Sequence, residues 1–553
     1  MITRAGSASA TARRLGALAG LAVVPVLVLG VFFVVPVTGM LGRGLWPDGH
    51  LDLGGVAEVL ARPRVHRVVW FTVWSATAGT VLSVALGLPA AYALNRLDFP
   101  GRRVLRAVML VPFVLPTVVV GVAFRQLLDP GGPLGFLGLD GSPVAIIAGL
   151  AFFNVSVVIR AVGAAWESLD PRPAEAAAAL GASPRQVLLT VTLPALRPAI
   201  VSAASVVFLF CATAFGIVLT LGGLTYATVE TEIYLLTTNL LDLQAAAALS
   251  LLQLVVVVGL LLAAQRLRAT PDPTIARTKP RARRPRRGDL PALALTGLLM
   301  VLVGAPIITL VSGSLHRRGS WGWGNYTALT EPPPGLAVSV SGALANSLRV
   351  AVDATWMSLL LGLLVAVVAT RRSTSRVERR VRTTIDGLFM LPLGVSAVTL
   401  GFGFLITLAR PPLDLRDSPL LVPIAQALVA LPLVVRTLAP VLGGIDDRQR
   451  QAAASLGASP WRVWRTVDLP TLWKPLLAAA GFAYAVSLGE FGATSFLARD
   501  DRPTLPVLIY RLLGHPGTDN YGMALAASVV LAAATALVML AVERLRVPSV
   551  GAF

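Results

Sequence analysis

Lysine is almost absent: the 553-residue chain has two, Lys279 and Lys474. A phosphate-binding P-loop needs the run G-x-x-x-x-G-K-[ST], in which the lysine neutralises phosphate. Thr278 precedes Lys279, Trp473 precedes Lys474, and proline follows both, so neither fits. The chain therefore has no P-loop of its own with which to hydrolyse ATP. Cysteine is limited to Cys211, which excludes an internal disulfide. The four histidines are scattered, and no zinc-type His/Cys cluster, H-E-x-x-H helix or G-x-S-x-G elbow stands out. No metal site and no catalytic constellation is predicted, which argues against a membrane-embedded enzyme. Charged residues make up only 14%, where soluble chains average about 25%. That scarcity excludes a soluble enzyme and a disordered chain.

What is abundant is apolar sequence, 55% of the chain. It comes in blocks of about 20 residues, the length that crosses a bilayer core. They lie near 16–41, 67–94, 104–127, 143–163, 198–222, 244–265, 291–313, 343–369, 384–408, 420–440, 476–497 and 521–543. Lipid offers no partner for open backbone groups, so each block must be helical. Barrel strands would be shorter and would alternate. The first block is too long for a signal-peptide core and is kept as a helix. An all-α integral membrane protein with about 12 transmembrane helices is expected.

The net charge of +19 would suggest nucleic acid in a soluble chain. In a membrane chain it reports orientation, because Lys and Arg collect in cytoplasmic loops. With the N-terminus inside, Arg13 and Arg14 and the run Arg371, Arg372, Arg376, Arg379, Arg380 and Arg382 are cytoplasmic. The loops 128–142 and 223–240, which carry no Lys or Arg, are then outside, and both termini are cytoplasmic. Segment 266–290, with the run TPDPTIARTKPRARRPRRGD, reads as a basic cytoplasmic linker. It divides the chain into a first domain, 1–265, and a second, 291–553.

The two domains repeat one another. EAAAALGASPRQVLLTVTLPALRP at 175–198 returns as QAAASLGASPWRVWRTVDLPTLWKP at 451–475. VPFVLPTVVVGVAF at 111–124 aligns with LPLGVSAVTLGFGF at 391–404, and Phe215-Gly216 with Phe491-Gly492. Each half then has six spans in the same orientation, a parallel repeat about an axis normal to the membrane. The repeated loops span about 164–197 and 442–475. In the first, an Ala-rich helix from Glu175 ends at Gly181, a residue suited to a left-handed bend. Ser183 then suits an N-cap, Pro184 the first helical position, and Gln186 the third position of a capping box. The second helix is expected to run to Leu193 and stop at Pro194. Gly457, Ser459 and Pro460 repeat the pattern, but Arg462 replaces the glutamine and leaves the box incomplete. One such loop would pass for an ordinary cytoplasmic turn; two copies in a mostly apolar chain imply a surface that something recognises.

The pattern Glu175-Ala176-Ala177, Gly181, Val191 and Leu193-Pro194 resembles the EAA loop of ABC importer permeases. Gln451-Ala452-Ala453, Gly457, Val467 and Leu469-Pro470 form the second copy. The resemblance covers nearly the whole chain, as a fused pair of permease domains with the type I ABC importer permease fold. It implies that each loop is a coupling helix docking on an ABC ATPase subunit. Gln451 departs from the family's glutamate, which puts the strength of that contact in question. FLFCATAFGIVLTLGG at 208–223 and ATVETEIY at 227–234 are similar to the thiamine type of permease, and ferric-iron permeases are also close. SLGEFGATSFL at 487–497 is shared more broadly, with sulfate and molybdate permeases. The implied partners are two ATPase subunits that carry ATP and magnesium, an extracytoplasmic solute-binding protein, and lipid. No cofactor is implied for this chain and no nucleic acid. The implied location is the bacterial inner membrane.

A secondary transporter of the two-repeat kind is the rival reading. It would need buried carboxylates for coupling ions, and the candidates are Asp353 and Glu490. Asp353 lies four residues after Arg349, so the two can pair on one helix face. Glu490 replaces the first repeat's Ala214, and is either a pathway acid or a buried structural one. Trp46, Trp321, Trp323 and Tyr326 in the outer loops are either contacts for a binding protein or members of the interfacial aromatic belt.

Overall fold

The structure, a computed structural model, describes Gly20, residues 22–267, 282–370 and 395–544, apart from Asp48, Leu110, Leu224, Ala409, Arg410 and Pro412. The basic run 371–382 and most of the basic linker lie outside the described residues.

In the first half the helices are α1 (Ala22–Leu45), α2 (Pro63–Arg96), α3 (Thr117–Leu128), α4 (Pro143–Ser168), α5 (Arg172–Ala179), α6 (Pro184–Ala212), α7 (Gly216–Gly222), α8 (Val229–Thr238) and α9 (Leu243–Leu267). The second half repeats them as α10 (Leu290–Ser314), α11 (Val340–Thr370), α12 (Ala397–Thr407), α13 (Leu421–Gly444), α14 (Asp447–Ser455), α15 (Pro460–Gly489), α16 (Thr494–Leu497), α17 (Leu505–Gly514) and α18 (Thr518–Arg544). Shorter helices, among them Leu53–Ala61, Arg102–Val108 and Val111–Val114, lie between these, and a small hairpin pairs His316–Arg317 with Ser320–Trp321.

Ten of the described helices are long and apolar enough to cross a membrane. An eleventh span is gained if Arg102–Val114 and Thr117–Leu128 count as one, though they meet at a bend of 104°. That bend corrects the reading of 104–127 as a single block. Pro116 sterically drives the residue before it out of the helical region, and α3 restarts after it. The expected block at 384–408 is described only over α12. The blocks at 198–222 and 476–497 are also interrupted, at 213–215 and 490–493, by non-helical backbone before α7 and α16.

The repeat is visible in packing. α2 packs on α4 and α6 in the first half, and α11 on α13 and α15 in the second. Glycine sets the closest approach at equivalent places. A Cβ at Gly87 would lie 2.7 Å from Val158 Cγ1, and one at Gly362 would lie 2.5 Å from Val434 Cγ1. The halves also interlock: α10 packs across on α2 and α3, and α1 packs on α12.

The end of the linker is not free in solvent. Arg283 N donates to Arg96 O at 3.0 Å, and Asp98 N donates to Arg283 O at 2.8 Å. The Arg283 guanidinium donates to both Asp289 oxygens at 2.8 Å and to the Tyr92 hydroxyl at 2.8 Å. Arg283 and Asp289 thus anchor the end of the linker on the first half, while residues 284–288 between them are exposed. Asp289 gives an arginine of the basic run a buried partner.

Asp353 accepts from Trp356 Nε1 at 3.4 Å. No ion pair joins it to Arg349 among the described residues, so the expected pairing is replaced by this contact.

Candidate functional site

The two repeated loops have matching geometry. Gly181 and Gly457 hold φ of +89° and +79°, the left-handed region that favours glycine. Each ends its helix in a Schellman turn. Gly181 N donates to Ala178 O at 3.0 Å and Ala182 N to Ala177 O at 3.1 Å. Gly457 N donates to Ala454 O at 2.9 Å and Ala458 N to Ala453 O at 3.1 Å. The first loop completes a capping box: Gln186 N donates to Ser183 Oγ at 3.3 Å, and Ser183 N to Gln186 Oε1 at 2.8 Å. In the second loop Arg462 N donates to Ser459 Oγ at 3.4 Å, and the return bond has no glutamine to make it.

The helix after each bend does not stop at the proline. Residues 188–192 and 464–468 form π-helical turns, and α6 and α15 continue through Pro194 and Pro470. The wider turn lets Leu193 N bond Leu188 O, and Leu469 N bond Trp464 O. Each proline then sits at the second position of a resumed α-helix, within the first turn where its missing N–H costs little. This corrects the expected stop at Pro194.

Both loops present an exposed surface. Glu175, Ala176, Ser183, Pro184, Pro194, Gln451, Ala452, Ser459, Pro460 and Pro470 are exposed, and Ala177 and Ala453 are half-buried. The equivalent Leu180 and Leu456 are 90% and 89% exposed. The loops also differ. Trp461 and Trp464 stack with ring centroids 5.1 Å apart in the second loop alone. Arg450 ties that loop to Asp468 at 2.9 Å and to Asp447 at 3.1 Å. Ala174 and Thr192 stand at the places of Arg450 and Asp468 in the first loop.

Glu490 lies in the break after α15. Its carboxylate accepts from Ala493 N at 2.7 Å, from Thr494 N at 3.0 Å and from the Thr494 hydroxyl. It therefore caps its own turn. Gly489 packs on Pro116 of the first half and Gly492 on Ala397. Both glycines serve close backbone approach here.

Two buried acids that the sequence reading did not single out lie on α8. Glu232 accepts both guanidinium bonds of Arg64, at 2.5 and 2.9 Å. Glu230 is fully buried, and it accepts from Gln253 Nε2 and, across the halves, from Ser396 Oγ at 3.1 Å. The legible signal was two acids inside the apolar run 227–236, a stretch lacking Lys and Arg. Between the halves, Phe215 stacks on Phe491 at 5.2 Å. In the outer loops Trp46, Trp321 and Trp323 are exposed, whereas Tyr326 is half-buried and bonded to Ser314 at 2.8 Å.

The model of the family described as "Binding-protein-dependent transport system inner membrane component" matches residues 83–270 and again 358–546. The chain belongs to this family. It is a multi-pass inner-membrane permease with the all-α type I fold, built from two fused copies of one domain. The thiamine transport system permease protein ThiP of Brucella abortus (strain 2308) is 29% identical over 477 residues, covering 83% of this chain and 84% of that relative. ThiP of Escherichia coli (strain K12) is 29% identical over 462 residues, covering 81% and 83%. A probable ABC transporter permease protein, y4fN, of Sinorhizobium fredii is 26% identical over 549 residues, covering 93% and 94%.

Proposed function

We propose that this permease forms the pathway of an ATP-driven thiamine importer. The paired loops carry this reading: two equally bent, exposed helical turns each offer a bare leucine, Leu180 and Leu456, to an external subunit. Two ABC ATPase subunits bind them on the cytoplasmic side, and ATP and magnesium bind to those subunits. Both chain termini lie on that side. A solute-binding protein docks on the opposite face, where Trp46, Trp321 and Trp323 stand exposed. ATP and the loaded binding protein favour the same outward-open state, so each raises the affinity for the other. Thiamine is favoured by the ThiP relatives, which span most of this chain.

The test is reconstitution in liposomes with the cognate ATPase and binding protein. The expected result is ATP-dependent accumulation of thiamine that stops when either partner is omitted. Accumulation driven by an ion gradient without ATP would overturn the importer reading. Uptake of ferric iron, sulfate or molybdate in place of thiamine would overturn the substrate alone.

A further inference from the structure

Equivalent residues of two repeats touch one another only near the axis that relates them. Phe215 and Phe491 are equivalent, 276 residues apart by position, and they stack at 5.2 Å with planes 27° apart. The next ring on each side is also a repeat pair. Tyr234 meets Phe215 edge-on at 5.4 Å, and Tyr510 meets Phe491 at 5.5 Å. Four rings therefore form one layer on the pseudo-twofold axis. The chain has only seven tyrosines, so placing an equivalent pair here is a specific use of them. The layer follows the end of α6, a helix whose stretch Leu193–Ala212 has 20 residues, about 30 Å of rise beyond the first loop. It thus lies at the break between α6 and α7, well away from the loops.

A second observation places acids beside the layer. Glu230 lies one turn before Tyr234 on α8, so the two share a helix face. It is fully buried, and Glu490, beside Phe491, is 7% exposed. Neither forms an ion pair with Lys, Arg or His among the described residues, whereas Glu232, two residues on, is paired with Arg64. Buried acids are ordinarily paired or placed where a cation travels. Aromatic faces attract cations and stack on flat rings.

We propose that Phe215, Phe491, Tyr234 and Tyr510, with Glu230 behind Tyr234, form an axial cage that accepts an aromatic organic cation as the halves part. The proposal rests on the importer reading and specifies its substrate class and site. In this structure the rings close on each other and seal the pathway. When the halves separate, the same rings offer two pairs of π-faces, and Glu230 exchanges its bond to Ser396 for the cation's charge. Anions such as sulfate meet only negative faces there and are refused.

The test measures thiamine imported per ATP hydrolysed in the reconstituted complex, with four changes. Phe491→Leu keeps apolar bulk and removes the π-face; it should lower the ratio about tenfold, which is about 1.4 kcal/mol. Phe491→Tyr should stay within twofold of the parent. Glu230→Gln should raise the thiamine KM severalfold. Tyr510→Leu, at a half-buried position, applies the same test if Phe491→Leu fails to assemble. Leucine variants that import within twofold of the parent would show that the rings are only a seal. If the parent complex accumulates iron or an anion and no organic cation, the substrate reading and the cage fall together. If the parent imports thiamine and the leucine variants do too, the cage alone is wrong.

Discussion

Gly181→Ala and Gly457→Ala isolate the bend of the two loops from every other property. A Cβ at either glycine meets nothing within 4 Å, so no clash contributes. The cost is then that of holding an L-residue at φ of +89° or +79°, about 1–2 kcal/mol. The bends are exposed and precede the membrane stretches of α6 and α15, so the protein should still reach the membrane. The docking-competent turn, however, should become roughly five- to thirtyfold less populated. Asparagine tolerates the left-handed region better than alanine, so Gly181→Asn should fall between the parent and Gly181→Ala. The assay is retention of the ATPase subunit on the detergent-purified permease, read beside uptake. The second loop is additionally pinned by Arg450 and Asp468, so Gly457→Ala should weaken retention less than Gly181→Ala. Alanine variants that retain the ATPase and import like the parent would refute the reasoning, as would asparagine variants worse than alanine.

Three further outcomes follow from local geometry. Gly87→Val and Gly362→Val force a side chain into Val158 and Val434; each should destabilise by about 1–3 kcal/mol, read as a lower melting temperature in detergent, and an unchanged value would contradict the packing described. Glu490→Gln leaves one backbone N–H of the 493–494 turn facing an amide N–H, at about 1–3 kcal/mol, so stability and uptake should decline together; lost uptake at full stability would make it a pathway acid. Burial alone would raise the Asp242 carboxyl pKa, but the Arg62 guanidinium at 2.8 Å and the Ala245 N–H hold it below the usual carboxylate range. A folded-state pKa below the unfolded one gives stability that is present above about pH 4 and lost as pH falls through the folded value. Both partners are at least a third exposed, so Asp242→Asn should cost no more than about 1 kcal/mol at neutral pH and progressively less as pH falls below about 4; an effect that does not shrink with falling pH would contradict the pairing.

The sequence made the repeat legible because glycine, serine and proline at the loops answer to backbone geometry alone. Gly181 and Gly457 are left-handed and Ser183 and Ser459 are caps, as the residue types imply. Pro194 misled because its effect depends on the turn before it, and a π-helical turn absorbs a proline that an α-helix cannot. The long apolar blocks were visible, but the breaks at 213–215 and 490–493 were not, since neither contains a proline and a single Thr213, Glu490 or Gly492 does not by itself end a helix. What breaks those helices is tertiary: Gly489 must close on Pro116 and Phe215 must meet Phe491. Glu230 escaped notice for the same reason. Its partner Ser396 is 166 residues away, and no local pattern announces a bond between the halves.

The most direct test of the coupling reading is a cross-link. With Cys211 replaced by serine, cysteines at position 180 or 456 have no competing thiol. Each should form a disulfide with a cysteine placed in the surface cleft of the ATPase subunit, and ATP should change the yield at both positions. If neither position cross-links while the assembled complex still imports, the two loops are not where ATP acts, and the account fails at its centre.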